Sequence, residues 1–600
     1  MRKNGIRLLT SLLTVLCLTV QVWAADSGSG TLRSKESYRL AEGFTYTAFT
    51  YADEGSRQAG YSLRLKKDSP VYPIYMACDT IWGGLTLTEC MGYAQSKGYQ
   101  VVGGVNTDFF NYPGVPIGIV VENGELRSGN QNFNAFAILE NGGYYVGKQP
   151  EVKFTLTGAG LPEGGHTLTR MNKLFMGDEL HLYSSAYSTV STRVSEDAWA
   201  VRLRITEGDM VLGGQMTLIV EEVLPEVQEV PIGEGMLVLT APREGIYAET
   251  IAEFTPAQEL TLDITCSDSV LEQAQFVSGC GDLLISEGRI TDSAQWSPFV
   301  GGSHPRTLLG WTAEDELVVY VADGRQEGRA MGLTLRMAAE EMLRQGCVYA
   351  VNLDGGGSSV MSTILPGDEG PRIASVPSDG GLRRSAGYLL FVTDEPHDGA
   401  AKNLHLEENN WEILSGRTLP LHLFATDGAL LPCDLPGEAL TADSERGSVS
   451  GLMYTAPLEG GTDNLRFSGG GASGVGQVKI IGSLDRVLIT ERFGSVPESL
   501  TIPVGSSPRL QLRAFYHGEP YPADWTSARY NFTGISGHTG PDGRFVAEGL
   551  PGMTGSLTIS LAGHSLTLPV TLTGPIPGTA GPTAIDYYRE NPGFQVNLTP

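Results

Sequence analysis

The chain has 600 residues and a formal net charge of −27, with 41 Lys and Arg against 68 Asp and Glu. Such a surface repels a phosphate backbone, so the charge argues against a nucleic-acid partner, although a phosphate ester can still bind in a locally positive cleft. The length exceeds what one hydrophobic core supports, and roughly three or four domains are expected.

The first 25 residues have the pattern of a secretory signal peptide. Three basic residues among the first seven precede an uncharged apolar run at residues 8–20, and Ala24 and Ala25 offer a cleavage site. The run is short for a membrane anchor, because a spanning helix needs roughly 20 predominantly apolar residues. We therefore expect an exported protein, secreted or held at the cell surface, with no membrane insertion once the signal is removed.

Six cysteines remain after the signal peptide, and none forms a close CxxC pair, so a zinc ribbon or redox motif is not indicated. Cys78 with Cys90, and Cys266 with Cys280, can form disulfides in an exported protein. Free thiols are equally compatible with the sequence.

Residues 38–394 combine helix-like and strand-like segments. Apolar residues at helical spacing predict a helix at 333–345, and a second helix is predicted at 85–97. Short alternating runs within 151–241 predict antiparallel strands. Together these segments predict an α+β or mixed α/β catalytic domain.

Helical periodicity disappears after Asp394, and short alternating strands with Gly, Pro and Ser turns take over. Two units, at residues 403–482 and 483–574, are predicted to be small all-β sandwiches that loosely resemble bacterial immunoglobulin-like modules. The last stretch, residues 575–600, is rich in Pro and Gly and is predicted to be a flexible tail.

Three apolar runs each lead into an acidic residue, namely Asp108, Asp323 and Asp354. The second and third runs flank the helix predicted at 333–345, which gives a strand–helix–strand unit. If the two strands are parallel neighbours, a right-handed crossover places both strand ends at one edge. Asp323 and Asp354 would then lie close together, where open α/β sheets usually bind ligands.

A loop of three glycines and two serines follows Asp354. Consecutive glycines allow backbone amides to converge on an anion, and the hydroxyls add donors. No Lys follows the glycines, so this is not a Walker loop. A tight structural turn is the alternative, but the preceding strand and acid favour a ligand-binding loop, whose members are Gly355, Gly356, Gly357, Ser358 and Ser359.

Basic residues elsewhere in the domain are further candidate ligands. Arg306 offers a planar fork of donors that suits a phosphate, or equally a buried carboxylate. His304 suits a general acid, a phosphate ligand or a structural residue. Arg383 and Arg384 supply positive charge to the site or form a solvated surface pair.

Polar and aromatic residues follow the first apolar run. Asn106 and Asp108 can bind sugar hydroxyls or an oxyanion. Phe109 and Phe110 can form a platform for a ligand, although filling the core is the favoured interpretation.

Five motifs, taken in this order, resemble those of the phosphodiester glycosidase family: NTDFF at 106–110, HPRTLLG at 304–310, VADGR at 321–325, GLTLRMAAEEML at 332–343 and NLDGGGSS at 352–359. The resemblance covers residues 38–394. It implies that the catalytic cleft is lined by the residues on matching motif positions, which are Asn106, Asp108, Arg306, Asp323, Asp354, Gly355, Gly356 and Ser358. A common family form reads NGGFF, so Asp108 stands at a glycine position.

The resemblance implies a hydrolase that cleaves the glycosidic bond of a sugar-1-phosphodiester, releasing the sugar and a phosphomonoester. The substrate would be a glycan or sugar phosphodiester, a cell-surface polymer being one candidate. Asp354 is the first candidate for the catalytic carboxylate, followed by Asp323 and Asp108, and Arg325 of the VADGR motif joins the substrate-binding candidates. Nucleophile, base and anchor are not assigned among the acids. No cofactor is required, and a structural divalent cation such as Ca²⁺ is compatible.

Two other functions remain open. A metal-dependent phosphodiesterase would break the P–O bond with Mg²⁺ or Ca²⁺ held at the acidic strand ends, but these motifs offer few His and Asp ligands. A non-catalytic cell-surface glycan-binding protein would bind through the C-terminal modules. Those modules show no concentrated aromatic patch, whereas the residues capable of chemistry cluster in the first domain.

Overall fold

The computed structural model describes residues 30–574, apart from residues 54–55, 190, 195–196, 299–300, 491–495, 524 and 541–543. The predicted signal peptide and the predicted C-terminal tail therefore lie outside the described residues. In the part of the chain that is described, no helix is long and apolar enough to cross a bilayer.

The molecule is built almost entirely of β-structure, so the predicted α+β or mixed α/β catalytic domain is wrong. Within the described residues the α-helices are Leu87–Ser96, Ala248–Ala252 and Leu335–Arg344. Short 3₁₀ helices lie at Ser269–Gln273, Ser293–Gln295, Gly356–Ser358 and Trp525–Ser527. The first and third α-helices confirm the helices predicted at 85–97 and 333–345, and they begin after the capping residues Thr86 and Thr334.

An eight-stranded antiparallel sheet, called sheet A, contributes two of the acidic strand ends. In spatial order its strands are Thr31–Ala41, Phe44–Asp53, Ser56–Leu65, Leu317–Ala322, Arg306–Thr312, Cys347–Asn352, Leu283–Ser286 and Arg289–Ile290. Leu317–Ala322 and Cys347–Asn352 are not parallel neighbours, because Arg306–Thr312 lies between them and is antiparallel to both. The two strands still run in the same direction, so both C-terminal ends reach one edge, with Arg306 at the start of the strand between them.

The strands at the centre of sheet A are buried on both faces, which explains why they resemble a parallel sheet in sequence. Leu309 and Val319 belong to the core shared with the next sheet, whereas Leu308 and Val318 pack under the helix Leu335–Arg344. Burial of both faces gives continuous apolar runs, a pattern common in parallel sheets. Here antiparallel strands produce the same pattern.

Sheet B packs against sheet A across the largest hydrophobic core. In spatial order its strands are Arg372–Ile373, Met361–Thr363, Gln100–Asn106, Tyr388–Thr393 and Val71–Met76, all antiparallel to their neighbours. The strand Gln100–Asn106 contains the first apolar run, the one that leads to Asp108.

Two further sheets and a short strand pair complete the β-structure of residues 31–393. Sheet C comprises Tyr144–Gly147, Asn134–Leu139, Ala274–Cys280, Val120–Glu122 and Glu125–Ser128. Sheet D comprises His166–Leu168, Val152–Gly158, Glu259–Cys266, Gln215–Val227, Ala198–Glu207, Met236–Pro242, His181–Ser184 and Arg170–Met171. The strands Phe110–Asn111 and Val115–Pro116 pair with each other. The antiparallel strands predicted within 151–241 are confirmed, with one short parallel pair at the end of sheet D.

The C-terminal part of the described chain is all β, and its division into two immunoglobulin-like modules stays a prediction. One set of strands comprises Asn403–Leu406, Trp411–Leu414, Thr418–Pro420, Leu423–Thr426, Pro432–Cys433, Thr441–Ser444, Ser448–Ser450, Met453–Thr455, Gly461–Gly469 and Ala472–Ile481. The other comprises Arg486–Thr490, Leu500–Pro503, Gln511–Tyr516, Glu519–Tyr521, Arg529–Thr533, Ser536–Thr539, Phe545–Glu548, Thr554–Leu561 and His564–Thr573. Each set encloses a hydrophobic cluster of its own.

The six cysteines of the described chain are all free. Neither Cys78 with Cys90 nor Cys266 with Cys280 forms a disulfide, so the free-thiol alternative holds. Burial raises the pKa of the Cys90 and Cys280 thiols, which keeps both protonated.

Candidate active site

Asn106 joins the ends of sheets A and B at the backbone of Asp354. Its Nδ2 donates to the carbonyl oxygen of Asp354 over 2.7 Å. Its Oδ1 accepts from the hydroxyl of Thr307 over 2.7 Å and from the amide of Val360 over 3.1 Å. Asn106 has no exposed surface, so the structure places it as a support for Asp354 rather than as a sugar ligand.

Of the three predicted catalytic acids, Asp108 and Asp323 are buried, and Asp354 is partly exposed as a residue. Burial raises the pKa of its carboxyl to about 7, and the Ser358 hydroxyl, the Arg383 guanidinium and the Gly355 amide oppose that rise. The carboxyl therefore titrates near neutral pH, the range in which a group can exchange a proton during a reaction.

Asp323 lies at the same edge but is only 2% exposed. Its Oδ2 accepts from the Tyr61 hydroxyl over 3.0 Å and from Arg329 Nη1 over 2.7 Å, while Oδ1 accepts from the amide of Val376 over 2.9 Å. Burial raises the pKa of the Asp323 carboxyl. Hydrogen bonds to both oxygens make Asp323 an anchor for neighbouring segments.

Asp108 is fully buried and similarly bonded. Its Oδ2 accepts from the Tyr75 hydroxyl over 2.8 Å and from the Thr107 hydroxyl over 3.0 Å, and its Oδ1 accepts from the amide of Gly279 over 2.7 Å. Burial raises the pKa of this carboxyl to about 6. Asp108 thus ties the end of sheet B to sheet C, and its carboxylate faces protein groups.

Arg306 is 2% exposed, and its guanidinium bonds to the backbone. Its Nε donates to the carbonyl of Leu333 over 2.9 Å and its Nη2 to the carbonyl of Gly302 over 2.7 Å. Burial lowers the pKa of Arg306 to about 10, and Asp282 opposes that effect. The structure therefore places Arg306 beneath the loop that carries His304, where it fixes the loop backbone.

Arg325 presents an exposed guanidinium beside the glycine loop. It donates to His304 Nδ1 over 3.3 Å, and its Nη atoms lie 3.1 Å from where a Cβ on Gly356 would be. Burial and the neighbouring Arg325 and Arg306 charges lower the pKa of His304. His304 is therefore neutral at pH 7, and since its Nδ1 accepts from Arg325, its proton resides on Nε2.

The glycine loop is a short 3₁₀ turn whose amides are mostly bonded within the protein. The amide of Gly356 donates to the Pro305 carbonyl over 2.9 Å, and the amide of Ser359 donates to the Gly356 carbonyl over 3.2 Å. Gly356 has a φ of 65°, and a Cβ on Gly357 would clash with Asp379 and Arg383. The glycines therefore allow charged side chains to approach the loop closely.

Arg383 and Arg384 point to different places. Arg383 pairs with Asp379, Nη2 to Oδ2 being 2.6 Å, and its Nη1 lies 3.4 Å from the Ser358 hydroxyl. Arg384 pairs with Glu89 at the start of the helix Leu87–Ser96, so it does not join the site.

The remaining predicted residues lie around the loop. Ser358 and Ser359 are both buried, and the Ser359 hydroxyl has no hydrogen-bond partner within the described chain. Phe109 and Phe110 are half-buried, and Phe109 packs against Phe133 with ring centroids 5.4 Å apart.

Sequence reasoning missed Tyr61, Arg329 and Asp379, which complete the surroundings of Asp323 and the glycine loop. Tyr61 is 262 residues from Asp323 along the chain, and no local pattern signals that contact. Within the described residues, Glu407, Glu408 and His422 form the one cluster of three potential metal ligands, and they lie outside this site.

The site residues from Arg306 to Ser359 fall in a region that known proteins share. A family model described as phosphodiester glycosidase matches residues 227–393. Human N-acetylglucosamine-1-phosphodiester alpha-N-acetylglucosaminidase is 37% identical over 105 residues, which cover 16% of this chain and 19% of that protein. The mouse protein of the same name is 36% identical over 124 residues, covering 19% of this chain and 22% of that protein.

A solved structure of the zebrafish N-acetylglucosamine-1-phosphodiester alpha-N-acetylglucosaminidase catalytic domain, auto-inhibited by its pro-peptide, aligns with 60% of this chain and 89% of that chain at 14% identity, with a TM-score of 0.30. The matches to the curated relatives span about a fifth of the length of those proteins. The predicted resemblance to the phosphodiester glycosidase family is confirmed, and the chain is related to that family through residues 227–393.

Proposed function

We propose that this protein hydrolyses the glycosidic bond of a sugar-1-phosphodiester and releases the sugar and a phosphomonoester. One observation carries the proposal: the carboxyl of Asp354, whose pKa is raised to about 7, directly precedes the glycine loop against which Arg325 packs. A carboxylate next to exposed positive charge suits a reaction in which an anionic group leaves a carbon that becomes electron-poor.

In this proposal the substrate phosphate binds Arg325 and the Nε2–H of His304. The guanidinium offers a planar fork of donors, and Arg325 itself holds His304 in the tautomer that donates. Both groups stabilise the charge that builds on the phosphate as the C–O bond breaks. A phosphate is already a fair leaving group, so this stabilisation is the main catalytic requirement on that side.

Asp354 acts on the sugar side of the bond. Its carboxylate either attacks the anomeric carbon or activates a water, and both roles stabilise an oxocarbenium-like transition state. Asn106 and the Thr107 carbonyl, which accepts from the Asp354 amide over 2.9 Å, hold its backbone in place. Retention of anomeric configuration in the product would assign the nucleophile, and inversion would assign the base.

A screen of sugar-1-phosphodiesters with the full chain tests the proposal. We expect release of free sugar, incorporation of solvent ¹⁸O into the sugar, and no loss of activity after chelation, because we propose that no cofactor takes part. Label in the phosphate together with loss of activity on chelation would replace the proposal with a metal-dependent phosphodiesterase. Glycan binding without turnover of any substrate would replace the proposal with a non-catalytic glycan-binding protein.

We also propose that the protein acts outside the cytoplasm, on a glycan phosphodiester that a cell surface supplies. The motivation is the signal-like pattern of residues 1–25. Mass spectrometry of the protein from its producing cell should find an N-terminus near Ala25. An intact Met1 in a cytoplasmic fraction would contradict export.

A further inference from the structure

Residues 375–384, here called the cover segment, pass from the edge of sheet A to the glycine loop. Near one end, the Val376 amide donates to Asp323 Oδ1 over 2.9 Å, and the Val376 carbonyl accepts from Gln326 Nε2 over 2.9 Å. Near the other end, Arg383 pairs with Asp379 and approaches the Ser358 hydroxyl. The segment thus connects two of the predicted catalytic acids, Asp323 by direct contact and Asp354 through its loop.

Of the three described hydrogen bonds of the Asp323 carboxylate, one holds the cover segment and two fix the carboxylate itself. Oδ1 holds Val376, while Oδ2 holds Tyr61 and Arg329, and Arg329 Nη2 also donates to the Tyr61 hydroxyl over 3.0 Å. A buried carboxylate bonded in this way is costly to disturb, because removing it leaves buried donors unsatisfied.

We propose that Asp323 is a positioning residue that fixes the cover segment and thereby places Arg383 beside the loop that carries Asp354. The proposal rests on the proposed function of Asp354, and it assigns the two acids different roles. Asp354 touches the substrate, and Asp323 acts on Asp354 at a distance, through Val376 and Arg383.

The charge of Arg383 gives this arrangement a measurable consequence. Arg383 favours the ionised form of Asp354 and so lowers the pKa of that carboxyl. If the cover segment loosens, Arg383 withdraws, and Asp354 needs a higher pH to ionise. The other groups acting on this carboxyl, namely Ser358, Gly355 and Asp108, lie outside the cover segment and stay in place.

The test is the pH dependence of kcat for Asp323→Asn in the full chain. We expect the acidic limb of the pH–kcat profile to move to higher pH. The ratio of kcat at pH 6 to kcat at the plateau should fall up to about tenfold below the same ratio in the wild type, since one unit of pKa changes the ionised fraction about tenfold below the midpoint. Arg383→Ala should move the limb in the same direction, and the double variant should move it no further than the larger single change.

Glu341 supplies a matched control. It is a fully buried carboxylate that accepts from the Tyr51 hydroxyl and pairs with Arg344 over 2.6 Å, much as Asp323 does with Tyr61 and Arg329. Glu341 lies on the helix Leu335–Arg344, and its described hydrogen bonds and ion pair go to Tyr51, Gln345 and Arg344, all outside the cover segment. Glu341→Gln should lower the melting temperature while the acidic limb stays where it is.

Three results would overturn the proposal: an unmoved limb in Asp323→Asn, an equal displacement in Glu341→Gln, or additive displacements in the double variant. If Asp323→Asn fails to fold, Tyr61→Phe removes one support of the same carboxylate and should displace the limb less, in the same direction; an unmoved limb there would also count against it.

A substrate-free measurement separates this inference from the proposed function. The melting temperature is measured against pH for the wild type and Asp354→Asn, and again for Asp323→Asn and the double variant Asp323→Asn/Asp354→Asn. Within each pair, the difference in melting temperature reports the ionisation of Asp354. A displaced midpoint in the Asp323→Asn background supports the positioning role even if no sugar phosphodiester is cleaved. An undisplaced midpoint contradicts it.

Discussion

The side-chain amide of Asn106 reaches the carbonyl oxygen of Asp354 over 2.7 Å from the end of a strand in the opposing sheet. Through Thr307 the same side chain contacts sheet A as well. Two sheets therefore fix the backbone of Asp354 before its own loop begins. Burial of the carboxyl raises its pKa to about 7, and the fixed backbone holds it in that buried position.

Asp354→Asn should abolish most of the activity while the fold persists. Asn is nearly isosteric with Asp but cannot act as nucleophile or base. We expect kcat to fall by about 10³-fold or more, the order typical of losing a central catalytic group. Steady-state kinetics on a cleaved sugar phosphodiester, with circular dichroism as a check on folding, measure both effects. Substantial remaining activity would remove Asp354 from the mechanism.

The same variant should change how stability depends on pH. The folded-state pKa of about 7 lies above the ordinary value of 3.8, so between these values the folded protein holds a proton that the unfolded chain has released. Stability from this group is therefore present at low pH and lost as the pH rises through that window. We expect the melting temperature of Asp354→Asn relative to wild type to increase from pH 4 to pH 7 and then level off. A difference that is constant with pH would show an unperturbed carboxyl.

Arg325 and Arg306 should respond differently to replacement by Lys. Arg325 is exposed and bonds to His304, so Lys loses the fork and the tautomer control, and kcat/KM should fall by about 10²-fold with little change in stability. Arg306 is buried and holds two backbone carbonyls, so Arg306→Lys should mainly lower the melting temperature. Thermal denaturation and steady-state kinetics of both variants measure these effects. A large loss of kcat/KM in Arg306→Lys, with near-normal kinetics in Arg325→Lys, would restore Arg306 as the phosphate ligand.

The sequence was sufficient to predict the elements next to the site, but not the sheet that holds them. Helices at 87–96 and 335–344 follow from local periodicity and capping, which depend on neighbouring residues only. The order of strands in sheet A depends on contacts between distant segments, such as Leu317–Ala322 with Ser56–Leu65. Apolar runs buried on both faces look alike in parallel and antiparallel sheets, so the pattern favoured the wrong class.

The sequence likewise predicted some features of the candidate site and missed others. The motifs led to Asp354, Arg325 and the glycine loop because these residues are adjacent to strand ends in sequence. They did not distinguish the partly exposed residue Asp354 from the fully bonded, buried residues Asp108 and Asp323, so all three remained candidates for the catalytic carboxylate. That distinction depends on partners such as Tyr75 and Tyr61, which come from other strands.

Gly357→Ala tests whether the loop glycines serve close approach of charged side chains. A Cβ at Gly357 would clash with the Asp379–Arg383 pair that packs against it. The pair must then move, which withdraws Arg383 from Ser358 and from Asp354. We expect kcat to fall and its acidic limb to shift to higher pH, because Asp354 loses the charge that favours its ionised form.

Gly381→Ala is the matched control for that prediction, since Gly381 lies in the same cover segment but a Cβ there would meet no atom within 4 Å. It should leave both kcat and the position of the limb unchanged. Measuring pH–rate profiles of the two variants side by side separates loop contact from a general effect of adding a methyl group. Equal behaviour of the two variants would show that the approach of Arg383 to the loop has no part in catalysis.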